Sequence, residues 1–168
     1  IFSRDAFYGS STAYYSLQQQ DIMDTNYDEL YKSGRQGNPE EALSYDIPVV
    51  NGQYELYLHF AEPNPFNTQA GQREMLVSLE GEIIDPAIDI AKEKGTSTAL
   101  VKQYAISVTD EELNLALFPL SGRSILSAIE LLSPNDYEKA LILQPVSANQ
   151  GLSQEISNSS LTVFPHPA

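Results

Sequence analysis

The chain contains no cysteine, so a disulfide framework, a thiolate metal site and a cysteine nucleophile are excluded. Histidine is scarce, since only His59 and His166 are present, and no Ser-His-Asp order or cluster of metal ligands appears. No apolar run approaches the roughly 18 residues of a membrane-spanning helix. These absences exclude helical membrane insertion and leave the redox compartment open.

Basic residues are few, because 9 Lys and Arg stand against 23 Asp and Glu and give a formal net charge of −14. A field of that sign repels nucleic-acid phosphates, anionic membranes and polyanionic polysaccharides unless a cation bridges them. The charge therefore predicts a neutral or cationic partner and no nucleic acid. Solubility in a salty extracellular medium explains the same charge equally well.

The first residues, 1–5, lack the basic and apolar regions of a signal peptide, and there is no initiator Met. We therefore expect an excised or processed piece of a longer protein. A length of 168 residues favours one domain with at most an appendage.

The strongest periodic pattern lies at residues 54–60, where Tyr54, Leu56, Leu58 and Phe60 alternate with polar side chains. Residues 75–79 alternate in the same way, and we expect the two strands to form an antiparallel hairpin. A turn at Asn51-Gly52 predicts a second tight hairpin with a strand over 44–50. Residues 103–108 and 113–117 predict a third hairpin around 110–112.

The remaining patterns are short. One helical turn is expected within 23–31, capped by Asp24 or Thr25, and residues 86–94 are a loop or one helical turn stopped by Gly95. Residues 82–85 are expected to extend the ladder, and 124–132 to close the core. Short strands without a crossover helix predict an all-β, antiparallel β-sandwich of the jelly-roll type over residues 1–132.

Composition shifts to Ser, Asn, Gln and Pro from Ser133 onward, with weak strand patterns at 140–143 and 160–164. We interpret residues 133–168 as a linker or an edge appendage leading to a C-terminal region.

One block of residues points to a family. It runs from Asn51-Gly52 and Tyr54 to His59-Phe60-Ala61-Glu62, then through Phe66 and Gly71-Gln72-Arg73 to Gly81, and it is preceded by residues 27–35 and followed by residues 127–130. In order and spacing this block resembles the malectin and malectin-like family over roughly residues 5–132.

The resemblance implies a non-catalytic carbohydrate-binding module of a secreted or cell-surface multidomain protein, with no organic cofactor. It also implies that a neutral glycan binds aromatic rings on loops at one end of the sandwich, which places the site at Tyr14, Tyr15, Tyr31, Arg35 and Phe66. Tyrosine suits this task because a rigid apolar body carries a polar tip. The alternative for these rings is that they fill the open end of the sandwich.

Two departures from the family pattern leave the glycan's identity open. The chain has Pro65-Phe66 where the family has Tyr-Phe, and it has no acid near Ser121-Gly122 where the family has Asp. The tail 161–168 resembles the opening of a C-terminal secretion-sorting domain of Bacteroidota, with His166 in place of the usual Asn.

Glu62 continues the inward parity of the strand before it, so a buried carboxylate needs a partner. Arg73 or Arg35 is the candidate, and we interpret the Glu62–Arg73 pair as structural.

Other chemistry has weaker support in the sequence. His59 lies beside Tyr57, as in the His-Tyr pairs of polysaccharide lyases, and paired carboxylates are compatible with a glycoside hydrolase. A spacer or interaction sandwich without sugar binding is the other alternative. Asp85, Asp89 and residues 110–112 offer oxygen ligands for a structural calcium ion, but without the spacing of a calcium loop. A metal is therefore left unassigned.

Overall fold

The computed structural model describes residues 2–3, 6–9, 12–16, 21–64, 66–67, 69–134 and 161–163. They form twelve strands and two helices of one turn: β1 (Phe2–Ser3), β2 (Thr12–Ser16), α1 (Asp28–Tyr31), β3 (Ser33–Gly37), β4 (Leu43–Pro48), β5 (Gly52–Phe60), β6 (Glu74–Leu79), β7 (Glu82–Ile88), α2 (Ile90–Glu93), β8 (Leu100–Val108), β9 (Glu112–Ser121), β10 (Ile125–Leu126), β11 (Ala128–Leu132) and β12 (Leu161–Val163).

Three sheets account for these strands. A five-stranded sheet has the order β1-β12-β11-β5-β8, a four-stranded sheet has the order β4-β9-β6-β7, and a small sheet has the order β10-β3-β2. The pairing is antiparallel except between β1 and β12. The predicted all-β, antiparallel sandwich of the jelly-roll type is thus confirmed.

The core lies between the two larger sheets. The inward side of β5 packs in one cluster with the inward side of β9, so that the alternation seen in the sequence is the alternation of burial. Tyr54, Leu56, Leu58 and Phe60 are all buried, as the period-2 pattern predicts. The same alternation buries Glu62 just beyond the end of β5.

The three predicted hairpins are wrong, because the two strands of each predicted hairpin lie in different sheets. β5 pairs with β8 and β11, while β6 pairs with β7 and β9. β4 pairs with β9 and not with β5, and β8 and β9 also lie in different sheets. Alternation fixes which face of a strand is buried but not which strand lies beside it.

The Asn51 side chain shows what the Asn-Gly signal does instead. Its Oδ1 accepts the backbone N–H of Glu111 at 2.7 Å, so Asn51 ties together two connections at the same end of the sandwich. The tight hairpin of the fold joins β6 to β7 through Glu80 and Gly81, both with positive φ.

The two helical turns occur where the sequence predicts them. α1 begins at Asp28 with Tyr27 as its N-cap and no side-chain cap, so the predicted caps Asp24 and Thr25 are wrong. α2 is capped by Asp89, whose Oδ1 accepts the N–H of Lys92 at 3.0 Å, and Gly95 follows the helix with φ of 84°.

The tail prediction concerns residues that are only partly described. Residues 161–163 form β12, which pairs with β11 on one side and β1 on the other. The expected strand at 140–143 lies outside the described residues.

Candidate functional site

Several connections meet at one end of the sandwich, which we call the apical end. It is defined by residues 61–73, which join β5 to β6, by residues 89–99 with α2, by residues 121–124, and by residues 21–32 with α1. Pairing of Phe60 with Leu100 and of Glu74 with Ser121 brings the first three connections to the same end. A bridge between Met23 and Thr98 brings residues 21–32 there as well.

A buried ion pair lies at the base of the apical end. Arg73 Nε donates to Glu62 Oε2 at 2.7 Å, and its Nη2 donates to Oε1 of the same carboxylate at 3.3 Å. Arg73 Nη1 donates to the carbonyl oxygen of Arg123. Both charged side chains are buried, so each would be costly without the other. Arg73, and not Arg35, is the partner of Glu62.

The same carboxylate organises the loop that follows β5. Glu62 Oε1 accepts the N–H of Asn64 at 2.9 Å and the Nδ2 of Asn67 at 3.4 Å. Asn64 Oδ1 in turn accepts the N–H of Phe66 at 3.0 Å. These bonds hold the backbone on both sides of Phe66 against a buried, paired charge.

Phe66 itself projects into solvent. Its side chain is 82% exposed, the largest exposure among the large apolar residues that the structure describes. Removing apolar area from water is favourable by about 25 cal/mol per Å². The exposed Phe66 ring on its anchored loop therefore offers apolar surface that contact with a ligand would bury.

Tyr31 has a different environment from Phe66. Its ring is only 3% exposed and packs with Ile22, Leu30, Ala61 and Ala99. In this arrangement Tyr31 offers almost no ring surface for a sugar, and it helps to fill the apical end.

The Tyr31 hydroxyl lies 2.9 Å from His59 Nδ1, and the two rings meet edge to face. Burial, with a smaller contribution from the Glu130 carboxylate, raises the pKa of Tyr31 to about 12. Tyr31 is therefore protonated at neutral pH, and its hydroxyl forms a hydrogen bond with Nδ1 whose direction depends on the tautomer of His59.

His59 also approaches an acid on β11. Its Nε2 lies 3.6 Å from Glu130 Oε2 and is a buried nitrogen with no hydrogen-bond partner in the structure. Burial lowers the pKa of His59, and the nearby Glu130 carboxylate partly opposes that shift. The histidine predicted beside Tyr57 thus has Tyr31 as its hydrogen-bond partner, while the Tyr57 hydroxyl donates to Glu55 Oε2 at 2.7 Å.

The small sheet brings three other predicted residues together in the backbone register. Tyr14 lies opposite Arg35, and Tyr15 lies opposite Gly34, in the β2–β3 pair. Arg35 also stacks on the ring of Tyr8, with its guanidinium carbon 3.2 Å from the ring centroid. Because β3 pairs with β10 just before β11 begins, this sheet lies on the side of the apical end near His59.

The residues proposed for calcium have other contacts. Asp89 accepts backbone N–H groups of Lys92 and Gly71, and Asp85 Oδ2 accepts the hydroxyl of Tyr104 at 3.0 Å. Within the described part of the chain, no group of three or more His, Asp or Glu side chains is placed to hold a metal ion.

Several contacts at or near the apical end are made by residues that the sequence does not single out. Asn64 and Asn67 follow Glu62 in a turn-forming stretch, and an Asx-turn signal identifies them as loop formers but not as ligands of a carboxylate. Glu130 and Tyr8 carry no local signal, because their contacts join distant strands.

Gly122 occupies the position where the acid of the family pattern is missing. It has a φ of 68°, and a Cβ there would lie 2.8 Å from the carbonyl oxygen of Gln72. The 121–124 connection therefore packs directly on the loop that carries Arg73, at a position that requires glycine.

These features define an antiparallel β-sandwich with an ordered set of loops at one end. The profile of the Malectin domain family matches residues 1–137. The chain belongs to the Malectin domain family.

Two curated relatives come from Arabidopsis thaliana. Receptor-like protein 4 is 30% identical over 131 residues, which cover 76% of this chain and 21% of that protein. Receptor-like protein kinase HERK 1 is 31% identical over 100 residues, which cover 57% of this chain and 11% of that protein. The chain thus spans about a fifth of the length of the first relative and about a tenth of the second.

Solved structures show the same fold. The extracellular domain of ANXUR2 from Arabidopsis thaliana aligns with a TM-score of 0.65 and 20% identity, over 76% of this chain and 40% of that chain. Beta-glucuronidase of Bacteroides uniformis aligns with a TM-score of 0.64 and 24% identity, over 75% of this chain and 14% of that chain. Neither helix in the described part of the chain is long and apolar enough to cross a membrane.

Proposed function

We propose that this domain is a non-catalytic carbohydrate-binding module that holds a neutral glycan at the apical end. The observation that carries the proposal is the ring of Phe66, 82% exposed on a loop tied to the buried Glu62 carboxylate. Sugars present apolar faces to aromatic rings, and a ring that is already held in place loses little conformational freedom on binding.

Charge supports a neutral ligand. The net charge of −14 disfavours anionic polysaccharides, whereas sugar hydroxyls are matched by amide, hydroxyl and carboxylate groups. In this proposal Phe66 stacks on the sugar, while Tyr14, Tyr15 and Arg35 supply further contacts from the small sheet. Tyr31 fixes the position of the apical segment 21–32 by its bond to His59.

Screening of neutral and anionic glycans on an array tests the proposal directly. Phe66→Ala should reduce binding of the glycan bound by the wild-type protein by about tenfold or more, since loss of a central aromatic contact costs more than about 1 kcal/mol. Its melting temperature should not change, because the ring makes little contact with the core.

Phe118→Ala is the matched control, because it removes another exposed phenylalanine, from the middle of β9. It should leave glycan binding unchanged. Equal binding by the wild-type protein and Phe66→Ala, or equal losses in the two variants, would contradict the role of Phe66.

The setting we propose is a multidomain protein that is secreted or displayed at the cell surface. Support comes from the relatives, which are receptor-like proteins far longer than this chain, and from the match to domains described as extracellular. Incubation of the protein with polysaccharides should give no new reducing ends. Release of depolymerised product would instead favour the lyase or glycoside hydrolase alternative.

A second candidate is an interaction or spacer sandwich that binds no sugar. It is favoured by the fold shared with FER, whose crystal structure contains the plant peptide RALF23 and LLG2. An array on which no glycan binds would leave this candidate in place of the first.

We further propose that residues 1–132 form the folding unit and that 133–168 are an edge extension. β12 adds three residue pairs to β11, while β11 keeps its five pairs with β5. Truncation after Pro134 should therefore preserve cooperative unfolding, at a cost of a few hydrogen bonds of about 1 kcal/mol each. Loss of cooperative unfolding would place β12 inside the folding unit.

A further inference from the structure

One of the two large sheets contains no basic residue. The strands β4, β9, β6 and β7 have no Lys and no Arg, and they carry five carboxylates: Asp46, Glu74, Glu82, Asp85 and Glu112. The Asp85 carboxylate contacts Tyr104 and Lys102 on β8 of the other sheet. The other four carboxylates lie within these four strands or at their ends. We call β4-β9-β6-β7 the acidic sheet.

The outward face of the acidic sheet has an apolar centre. Along β9 the residues Leu113, Leu115 and Leu117 are buried, so the alternate residues Ala116, Phe118 and Leu120 take the outward face. Phe118 is 44% exposed and Leu120 is 51% exposed.

Neighbouring strands extend this centre. Leu76 of β6 lies opposite Phe118, and Ala116 and Ile83 lie on either side of Ser78, in the registers of the β6–β9 and β6–β7 pairs. Ile83 is 63% exposed. We define the outer patch as Leu76, Ile83, Ala116, Phe118 and Leu120.

An acidic rim borders the outer patch. Asp46 lies on β4 at one side, and Glu112 and Glu74 lie near the two ends of the sheet, each at an outward position of its strand. Clustered exposed apolar side chains rimmed by charge are typical of contact surfaces, since scattered exposure is the rule elsewhere on a protein.

The charge of the rim selects among the occupants of this face. A second copy of the chain would bring another net charge of −14 against it. Residues 135–160 of the same chain carry Asp136, Glu138 and Glu155 against Lys139, so they too are net negative. Each of these occupants would place like charges within a Debye length of about 8 Å, which opposes binding.

We infer that the outer patch binds a polypeptide segment of another protein that carries both basic and apolar side chains. The apolar side chains would cover Phe118, Leu120 and Ile83, and the basic ones would reach the carboxylates of the rim. This interface does not depend on glycan binding, because it lies on a sheet face and the proposed glycan site lies on the apical loops.

The absence of cysteine makes the face easy to probe. Single cysteines introduced as Leu120→Cys and, separately, Val50→Cys report access to a thiol reagent at two exposed apolar positions. Val50 is 76% exposed and follows β4 at the end opposite the apical end, so it serves as the control. The probes are three peptides of about ten residues, long enough for one strand: alternating Lys-Leu, Glu-Leu and Lys-Ser.

In the free protein, Leu120→Cys should be alkylated within about threefold of the rate of Val50→Cys, because a comparable fraction of each side chain is exposed. A saturating Lys-Leu peptide should slow alkylation of Leu120→Cys about tenfold or more, which corresponds to about 1.4 kcal/mol of protection. The Glu-Leu and Lys-Ser peptides should protect it far less, and no peptide should protect Val50→Cys.

The rim and the patch are then tested separately by fluorescence anisotropy with a labelled Lys-Leu peptide. Glu74→Gln with Glu112→Gln should weaken binding and flatten its salt dependence, whereas Asp21→Asn with Glu40→Gln makes the same charge change elsewhere and should have a smaller effect. Phe118→Ser should weaken binding at every salt concentration.

Three outcomes would overturn the inference. Slow alkylation of Leu120→Cys in the free protein that depends on protein concentration would assign the face to a second copy. Slow alkylation that is independent of concentration would assign it to the chain itself. Equal protection by Lys-Leu and Lys-Ser peptides would reduce the contact to net charge alone.

Discussion

The ion pair between Glu62 and Arg73 gives a sharp test of how the apical end is held. Glu62→Ala removes the acceptor of two bonds from Arg73 and of the bonds from Asn64 and Asn67. It leaves the Arg73 guanidinium buried without its carboxylate, a change that costs about 3–5 kcal/mol. Against a typical total stability of about 5–15 kcal/mol, that loss is large.

Urea unfolding followed by circular dichroism measures the change. Glu62→Gln keeps an oxygen acceptor and the side-chain shape while removing the charge, so it should lose less than Glu62→Ala and remain folded for measurement. The double variant Glu62→Ala with Arg73→Met should cost less than the sum of its single variants, by about 0.5–3 kcal/mol, since it leaves no buried charge unpaired.

Comparing the loss of stability with the loss of glycan affinity in Glu62→Ala distinguishes a structural ion pair from one that binds a ligand. Glycan affinity should fall in Glu62→Ala only together with stability, because the carboxylate is buried and positions the Phe66 loop. Strictly additive losses in the double variant, or a loss below about 1 kcal/mol in Glu62→Ala, would refute the reasoning. Unchanged melting with abolished binding would assign Glu62 to the ligand.

Two further predictions concern pH and backbone geometry. Burial lowers the pKa of His59 below its ordinary value of about 6.5. The folded state therefore binds the proton less tightly than the unfolded state does. Stability that is present above about pH 6.5 is lost as the pH falls toward the folded-state pKa. Urea unfolding at about pH 7.5 and about pH 5 should show a loss that shrinks in His59→Gln and persists in His166→Gln, and equal losses in both variants would contradict the assignment. Gly122→Ala should destabilise the protein by about 1–3 kcal/mol more than Gly81→Ala. Both glycines have positive φ, but only at Gly122 would an added Cβ lie against the Gln72 carbonyl. Equal melting temperatures of the two variants would show that this contact relaxes freely.

The buried face of a strand and its ends were predictable from the sequence, whereas the strands that pair with it were not. The alternation from Tyr54 to Phe60 is local, so it identifies the buried side of β5 and extends to Glu62 without knowledge of the fold. Which strand lies beside β5 depends on contacts with residues 100–108 and 128–132, and no local pattern encodes them. The hairpin predictions failed for this reason.

The apical end divides in the same way. The exposure of Phe66 was predictable, because Phe66 lies in a turn-rich loop outside any strand pattern and such residues remain on the surface. For Tyr31 the sequence left two alternatives, a ring that contacts a ligand or a ring that fills the end of the sandwich, because its partner His59 lies 28 positions away. The hypothesis of a Tyr57–His59 pair was wrong for the same reason. Tyr57 is close to His59 in sequence, but the hydroxyl that bonds to His59 is that of Tyr31.

The passage of consecutive strands between sheets has a consequence for how the chain acquires its structure. β5 lies between β11 and β8 in the five-stranded sheet, and these partners begin at Ala128 and Leu100. Neither ladder can form until long loops have closed, which makes folding slow compared with proteins dominated by local contacts.

During synthesis, β5 must therefore wait, unpaired, until the residues of β8 and β11 have left the ribosome. The β6–β7 hairpin is the element that can form early, because its two strands are joined by a tight turn. A chain of this topology is most exposed to aggregation while Leu56, Leu58 and Phe60 are made but not yet covered, and a strongly negative net charge keeps such nascent chains apart.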